Sequence, residues 1–348
     1  MSLFNHENMK KGIMLVLILS LTMAVKAQYD FTVLTQKLET HKKVLGNDVV
    51  AIIYKDGKII YQKEIGDFKV KTQAPIASCS KWLTAALIMT FVDQGKISLD
   101  DKVSQYLPIF AKYGKSYITI RHCLSHQTGI EQEGFKLLKL LTRKKYKTLE
   151  EEVDDFAGKK EIDFNPGTGF HYGNVGLNIA ARIAEVVGRR NFETLIRERI
   201  LRPLSMRNTT FALNYEIAVN PSGGAYSTAN DYMNFLIMIL NKGTFNGKQI
   251  LSELSIAEMQ KDQIVNIPIK YAPKNGEGYS YGLGEWILEK DTNGSSNVIA
   301  SPGLFGTWPL IDNKRKYACI FFVKNLQPDT RKEMYADFKE SIDKVIGN

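Results

Sequence analysis

At 348 residues the chain can bury a sizeable core, as one large domain or two interleaved lobes. Its 44% apolar and 24% charged residues exclude a disordered or low-complexity chain. The formal charge of +9 fits solubility or attraction to an anionic envelope surface, and three cysteines are too few for a disulfide scaffold.

The chain opens with Lys10-Lys11, an apolar run of about 14 residues from Gly12 to Val25, and the small-x-small site Val25-Lys26-Ala27. The run falls short of the roughly 20 residues that a membrane span needs. The pattern predicts a cleaved export signal over 1–27, a periplasmic or extracellular mature chain over 28–348, and no stable membrane anchor after cleavage. Lys10, Lys11 and Lys26 against Glu7 carry two of the nine net charges, leaving about +7 on the mature chain.

Asp30–Leu45 has helical character. Val49–Tyr54 and Lys58–Gly66 then flank Asp56-Gly57, the signature of a β-hairpin. An apolar helix is predicted over Ser78–Gln94 and shorter ones over Ile118–Ser125, Gly176–Val187, Phe192–Ile200 and Thr228–Leu240. The basic run Lys136–Lys147 meets the acidic Glu150–Asp155, which reads as a solvated helix and loop rather than a nucleic-acid surface. Strands are predicted at Tyr281–Glu289, Thr307–Ile311 and Tyr317–Val323, with a turn at Asp291–Ser296 and a closing helix over Thr330–Val345.

The strands at the two chain ends need partners, and pairing them satisfies both. The expected fold class is α+β of the α/β sandwich type. Its antiparallel five-stranded sheet comes from about 28–75 and 275–348, is flanked by helices, and carries an inserted mainly helical lobe over about 76–274. A site is expected in the groove between the lobes.

Two motifs bear chemistry, and each has a second copy in the chain. Ser78-x-x-Lys81 stands at the start of the apolar helix; Ser341-x-x-Lys344 lies in a polar one. At the helix start Ser78 lies in the positive field of the N-terminus, and Lys81 returns to the same side, so the pair reads either as nucleophile and base or as an N-cap with a snorkelling lysine. A lysine crowded by apolar neighbours and other donors is the kind whose proton affinity drops toward that of a base. Tyr172-x-Asn174 sits on the glycine-rich loop Phe164–Asn174, whereas Tyr232-x-Asn234 sits in a regular helix. Tyr172 reads as a proton relay or as a packing aromatic, and Asn174 as a polar contact to Lys81 and substrate or as a helix starter.

Together these stretches resemble the serine β-lactamase-like hydrolases, in particular the branch of class C β-lactamases, D-alanyl-D-alanine carboxypeptidases and esterases. Ala77–Lys81 is similar to the family's nucleophile motif and Tyr172–Asn174, after Pro166-Gly167-Thr168, to its Tyr-x-Asn motif. Leu124–Gly129 and Gly223–Thr228 with Asp231 resemble framework segments, and the match runs in order over roughly 45–325. The resemblance implies a two-lobed β-lactamase/transpeptidase-like fold, Ser78 as the acylated nucleophile, Lys81 and Tyr172 as general-base machinery and Asn174 as a supporting contact.

The third motif departs from the antibiotic-hydrolysing pattern, with Ser301-Pro302-Gly303 where Lys-Thr-Gly or His-x-Gly is expected. Gly303 leaves room for a close approach to the strand, Ser301 offers one hydrogen bond, and the Leu304 N–H pairs with the Ser78 N–H as the expected oxyanion hole. The cation for a substrate carboxylate is missing, with Arg315 and Lys316 read as facing solvent. The implied activity is hydrolysis of a small ester, amide or cell-wall peptide, with an esterase-like substrate preferred. D-alanyl-D-alanine carboxypeptidase or β-lactamase activity and a non-catalytic binding protein are the alternatives. No metal or organic cofactor is implied, since His6, His41, His122, His126 and His171 show no tight ligand spacing.

Overall fold

The computed structural model describes residues 29–132, 146–213, 216–326 and 331–347. The expected leader over 1–27 and most of the basic run Lys136–Lys147 lie outside the described residues. Among those described, no helix is long and apolar enough to cross a membrane.

Helix α1 (Thr32–Thr40) leads into a hairpin of β1 (Val49–Lys55) and β2 (Lys58–Ile65). Asp56 and Gly57 both take positive φ, 49° and 79°, the turn geometry that matches the twist of paired strands. Through the middle run α2 (Ser80–Asp93), α3 (Val175–Gly188) and α4 (Ala229–Leu240), and the chain closes with α5 (Arg331–Ile346). Between α4 and α5 come β3 (Ser280–Tyr281), β4 (Trp286–Lys290), β5 (Ser296–Ala300), β6 (Trp308–Asp312) and β7 (Tyr317–Val323).

These strands form one antiparallel sheet in the order β2-β1-β7-β6-β5-β4-β3. The chain ends meet where β1 pairs β7, Val49 opposite Val323 and Lys55 opposite Tyr317. The sheet has seven strands where five are expected. Gly282–Glu285, with Gly284 at φ 83°, breaks the expected strand Tyr281–Glu289 into β3 and β4. Strand β5 begins at the last residue of the expected turn, on a Ser-Asn pair that carries little strand propensity.

Side chains alternate across the sheet. Val50, Ile52, Ile320 and Phe322 join a core with α2, α3 and α4, whereas Val49, Ala51, Ile53 and Phe321 pack on Leu34 and Leu38 of α1 and Tyr335 and Phe338 of α5. Cover on both faces is why these strands read as unbroken apolar runs. Helix α2 is buried at every residue from Ser80 to Phe91, its one lysine included.

Helix α5 is also tied to the sheet by charge. Lys339 Nζ lies 2.7 Å from Asp343 and 3.3 Å from the fully buried Asp312, and Arg315 Nη1 lies 3.1 Å from Asp312. Arg315 is therefore committed to this cluster instead of facing solvent, while Lys316 is exposed.

Candidate active site

The approach to Ser78 is an extended segment held by a neighbour. Ala74 and Pro75 pair with Ser227 and Tyr226, and the Ile76 N–H donates to Ala225 O at 3.0 Å. Ala77 then takes φ 44°, a left-handed turn that costs a residue with a Cβ roughly 1–2 kcal/mol. A 3-10 turn over Ala77–Cys79 follows, and α2 begins only at Ser80. Ser78 is thus inside the turn and not at a helix N-cap, and its side chain makes no capping bond. Three groups brace this turn. Tyr232 Oη donates to Cys79 O at 2.8 Å, the Ala225 N–H donates to Ser80 Oγ at 3.0 Å, and Ser301 Oγ approaches Ser78 O at 3.5 Å.

Lys81, 1% exposed, places Nζ 3.1 Å from Ser78 Oγ, 3.1 Å from Asn174 Oδ1 and 2.8 Å from Ser222 O. A lysine amine has no acceptor role except through its lone pair, so the amide oxygen and the carbonyl each take an N–H. In the ammonium form the third N–H faces Ser78. In the neutral amine that same direction holds the lone pair, so one arrangement serves both states. The Ser222 end is itself fixed, because its N–H donates to Asn178 Oδ1 at 3.1 Å and Asn178 Nδ2 donates to Glu152 Oε2 at 2.9 Å, all buried.

Tyr172 packs against this group, and burial pushes its phenol well above the usual range, so the hydroxyl keeps its proton at rest. Its ring is wedged between Trp286 at 5.1 Å and His126 at 4.6 Å, with Lys81 Nζ 5.0 Å from its centroid. A Cβ on Gly173 would sit 1.5 Å from Gln132 Oε1, so a side chain here would have to displace the Gln132 amide. His126 holds the loop: its Nδ1 accepts from the Gly173 N–H at 3.4 Å, which leaves Nε2–H to donate to Tyr281 Oη at 3.0 Å.

Burial, reinforced by the Lys81 charge, drives the His126 pKa well below its ordinary value, and burial with the Lys102 charge lowers His122 to about 4. Folded values below the unfolded value of about 6.5 mean stability that is present above that pH and lost as pH falls beneath it. A proton on Nδ1 also ends the bond from Gly173. Melting temperature and turnover should therefore both fall between pH 7 and 5, with a shallower slope of melting temperature in His126→Gln. An unchanged slope in that variant would remove His126 from the explanation.

The third segment closes on the same turn. Ser301, 4% exposed, donates to Gly284 O at 3.2 Å, so its hydroxyl is directed at backbone as much as at the groove. A Cβ on Gly303 would meet Ile76 O at 2.3 Å and Cys79 Sγ at 3.1 Å; the close approach here is that of the turn carrying Ser78. Among the described residues, neither the Ser78 nor the Leu304 N–H is spent on a backbone carbonyl. The structure therefore joins Ser78, Lys81 and Asn174 by hydrogen bonds, packs the Tyr172 ring against Lys81, and sets Ser301, Gly303 and Leu304 beside them.

Several contributors carry no sequence signal of their own. Ser222 acts through a carbonyl, which any residue supplies. Tyr232, from the second Tyr-x-Asn copy, anchors the turn carrying Ser78, while Asn234 donates to Leu204 O. Ser341-x-x-Lys344 is local to α5, with Ser341 on Asp337 O and Lys344 on Glu340. Arg331, a cation the sequence did not single out, lies beside the third segment: Nη1 donates to Leu304 O at 2.9 Å and Gly303 O at 3.3 Å.

The Beta-lactamase family model matches residues 42–342. The chain is 26% identical over 345 residues to beta-lactamase-like protein 4 of Dictyostelium discoideum, covering 83% of this chain but only 58% of that protein. It is 24% identical over 305 residues to the D-alanyl-D-alanine-carboxypeptidase/endopeptidase AmpH of Escherichia coli strain K12, covering 78% of this chain and 76% of AmpH. Among solved structures, a candidate beta-lactamase from Bacteroides dorei DSM 17855 superposes with a TM-score of 0.81 at 29% identity, over 92% of this chain and all of that one.

Proposed function

Because the chain belongs to the Beta-lactamase family, we propose that it is a serine hydrolase working through a Ser78 acyl-enzyme, exported by its leader and acting on a small ester. The observation that carries this reading is the 3.1 Å contact between Lys81 Nζ and Ser78 Oγ, with the other two Lys81 partners obligate acceptors.

In the first step the Ser78 hydroxyl proton passes to the neutral Lys81 amine as Oγ bonds to the substrate carbonyl carbon. The Ser78 and Leu304 N–H groups receive the carbonyl oxygen as it becomes negative. Collapse breaks the bond to the leaving group, which takes a proton from Tyr172 while Tyr172 is resupplied by the Lys81 ammonium. Water then attacks the acyl carbon, giving its proton to Lys81; collapse breaks the bond to Oγ, and Lys81 returns that proton to Ser78 as the acid product leaves. Asn174 keeps Lys81 aimed and contacts the substrate, and Ser301 and Gly303 shape the wall of the groove.

The preference for an ester rests on Ser301, which supplies no charge to a substrate carboxylate. A second reading, cleavage of a D-alanyl peptide as in the AmpH relative or of a β-lactam, draws on Arg331, whose charge is felt at Tyr172. Short-chain p-nitrophenyl esters, a D-Ala-D-Ala peptide and nitrocefin should be compared with wild type and Ser78→Ala. The ester is expected to give the highest kcat/KM and Ser78→Ala none. Efficient turnover confined to the peptide or to nitrocefin would reverse the preference, and wild-type inactivity on all three would favour a binding protein.

A further inference from the structure

We propose that Arg331 is a positioning residue that sets the oxyanion donor, acting on the carbonyl end of the peptide group whose other end is the Leu304 N–H. The inference rests on the reading above that this N–H receives the developing negative charge.

Residues Gly303–Gly306 form an irregular loop, so no ladder of strand bonds fixes their peptide planes. Other groups do. The Gly303 carbonyl accepts from the Gly306 N–H at 3.1 Å and Arg331 Nη1 at 3.3 Å, and the Leu304 carbonyl from Arg331 Nη1 at 2.9 Å. The Phe305 carbonyl accepts from the Asn325 N–H at 2.9 Å, and the Gly306 carbonyl from Tyr335 Oη at 2.5 Å. Three of these five bonds come from the first turns of α5.

The Gly303–Leu304 peptide is a rigid plane with its oxygen and its N–H at opposite ends. Anchoring the oxygen therefore fixes the direction of the N–H. A guanidinium on that oxygen also draws electron density toward it, which makes the N–H a stronger donor. The charge lies close enough to the nucleophile to be felt at Tyr172 and Cys79. Helix α5 stays docked without Arg331, through Tyr335, Phe338 and the Lys339–Asp312–Asp343 cluster. Arg331 can thus be changed without releasing the helix. Lysine keeps the charge but not the planar fork, so it replaces the function only in part.

The test measures the rate of labelling by a fluorophosphonate, together with binding of phenylboronic acid, in wild type, Arg331→Gln and Arg331→Lys. Arg331→Gln should label about 10- to 100-fold more slowly at saturating probe, a loss between that of a misplaced group and that of a missing donor. Its half-saturation concentration should stay within about twofold, its melting temperature should hold, and its boronate affinity should fall in step with the labelling rate. Arg331→Lys should recover part of the loss, and if Arg331→Gln does not fold, Arg331→Lys against wild type carries the comparison. A wild-type labelling rate in the variants overturns the proposal, as does a loss confined to the half-saturation concentration, which would make Arg331 a substrate contact. Wild type that does not label removes the serine-hydrolase reading and this inference with it; labelling of wild type with unchanged variants removes the inference alone.

Discussion

Ser78→Ala should lower turnover by at least about 10⁴-fold while leaving melting temperature within a few degrees of wild type. The two effects separate because of how Lys81 is held. Loss of the serine hydroxyl leaves Nζ with Asn174 Oδ1 and Ser222 O, so the buried amine keeps two acceptors. The turn itself is braced by Tyr232, Ala225 and Ser301 through atoms that the substitution does not touch. Steady-state kinetics and a thermal melt on the same preparation check both halves. A variant that unfolds together with its activity would make Ser78 a structural residue.

Gly303→Ala should be nearly as damaging to turnover and should also reduce stability. The added Cβ would sit 2.3 Å from Ile76 O and 3.1 Å from Cys79 Sγ. Neither can give way cheaply, since Ile76 is paired to Ala225 and Cys79 is fully buried. The loop must therefore move off the turn carrying Ser78, at a cost of about 1–3 kcal/mol for overpacking. Movement of the Leu304 N–H away from the oxyanion position should lower kcat by about 10²–10³, as the loss of one such donor does. A thermal melt and kcat at a temperature where the variant is folded measure the two terms. Activity within about threefold of wild type would show that the Gly303–Leu304 segment takes no part in the chemistry.

The sheet is legible in the sequence where the physics is local. Asp56-Gly57 supplies a turn that few other pairs form so readily, and β1 and β7 are apolar on both faces because both faces are covered. The interruption at Gly282–Glu285 and the short polar-led strand β5 are less legible, because their pairing depends on neighbours already in place.

The site divides in the same way. Ser78 and Lys81 are spaced to suit their contact, and the short Tyr172–Asn174 segment carries two groups that both meet Lys81, so this partnership can be read once the turn and loop are placed. The Ser222 carbonyl, the Tyr232 hydroxyl and Arg331 reach the site only through tertiary folding. A carbonyl belongs to every residue, Tyr232 sits in an ordinary helix, and Arg331 opens a helix on the other side of the sheet from α2. The left-handed φ of Ala77 is likewise invisible in the sequence, since alanine rarely adopts it.

The most direct measurement is the intact mass of the folded protein after exposure to a fluorophosphonate, with the adduct mapped by peptide mass spectrometry. Wild type should gain one phosphonyl group on Ser78, and Ser78→Ala should gain none. Folded wild type that gains no adduct, or carries it on another residue, would contradict Ser78 as the nucleophile.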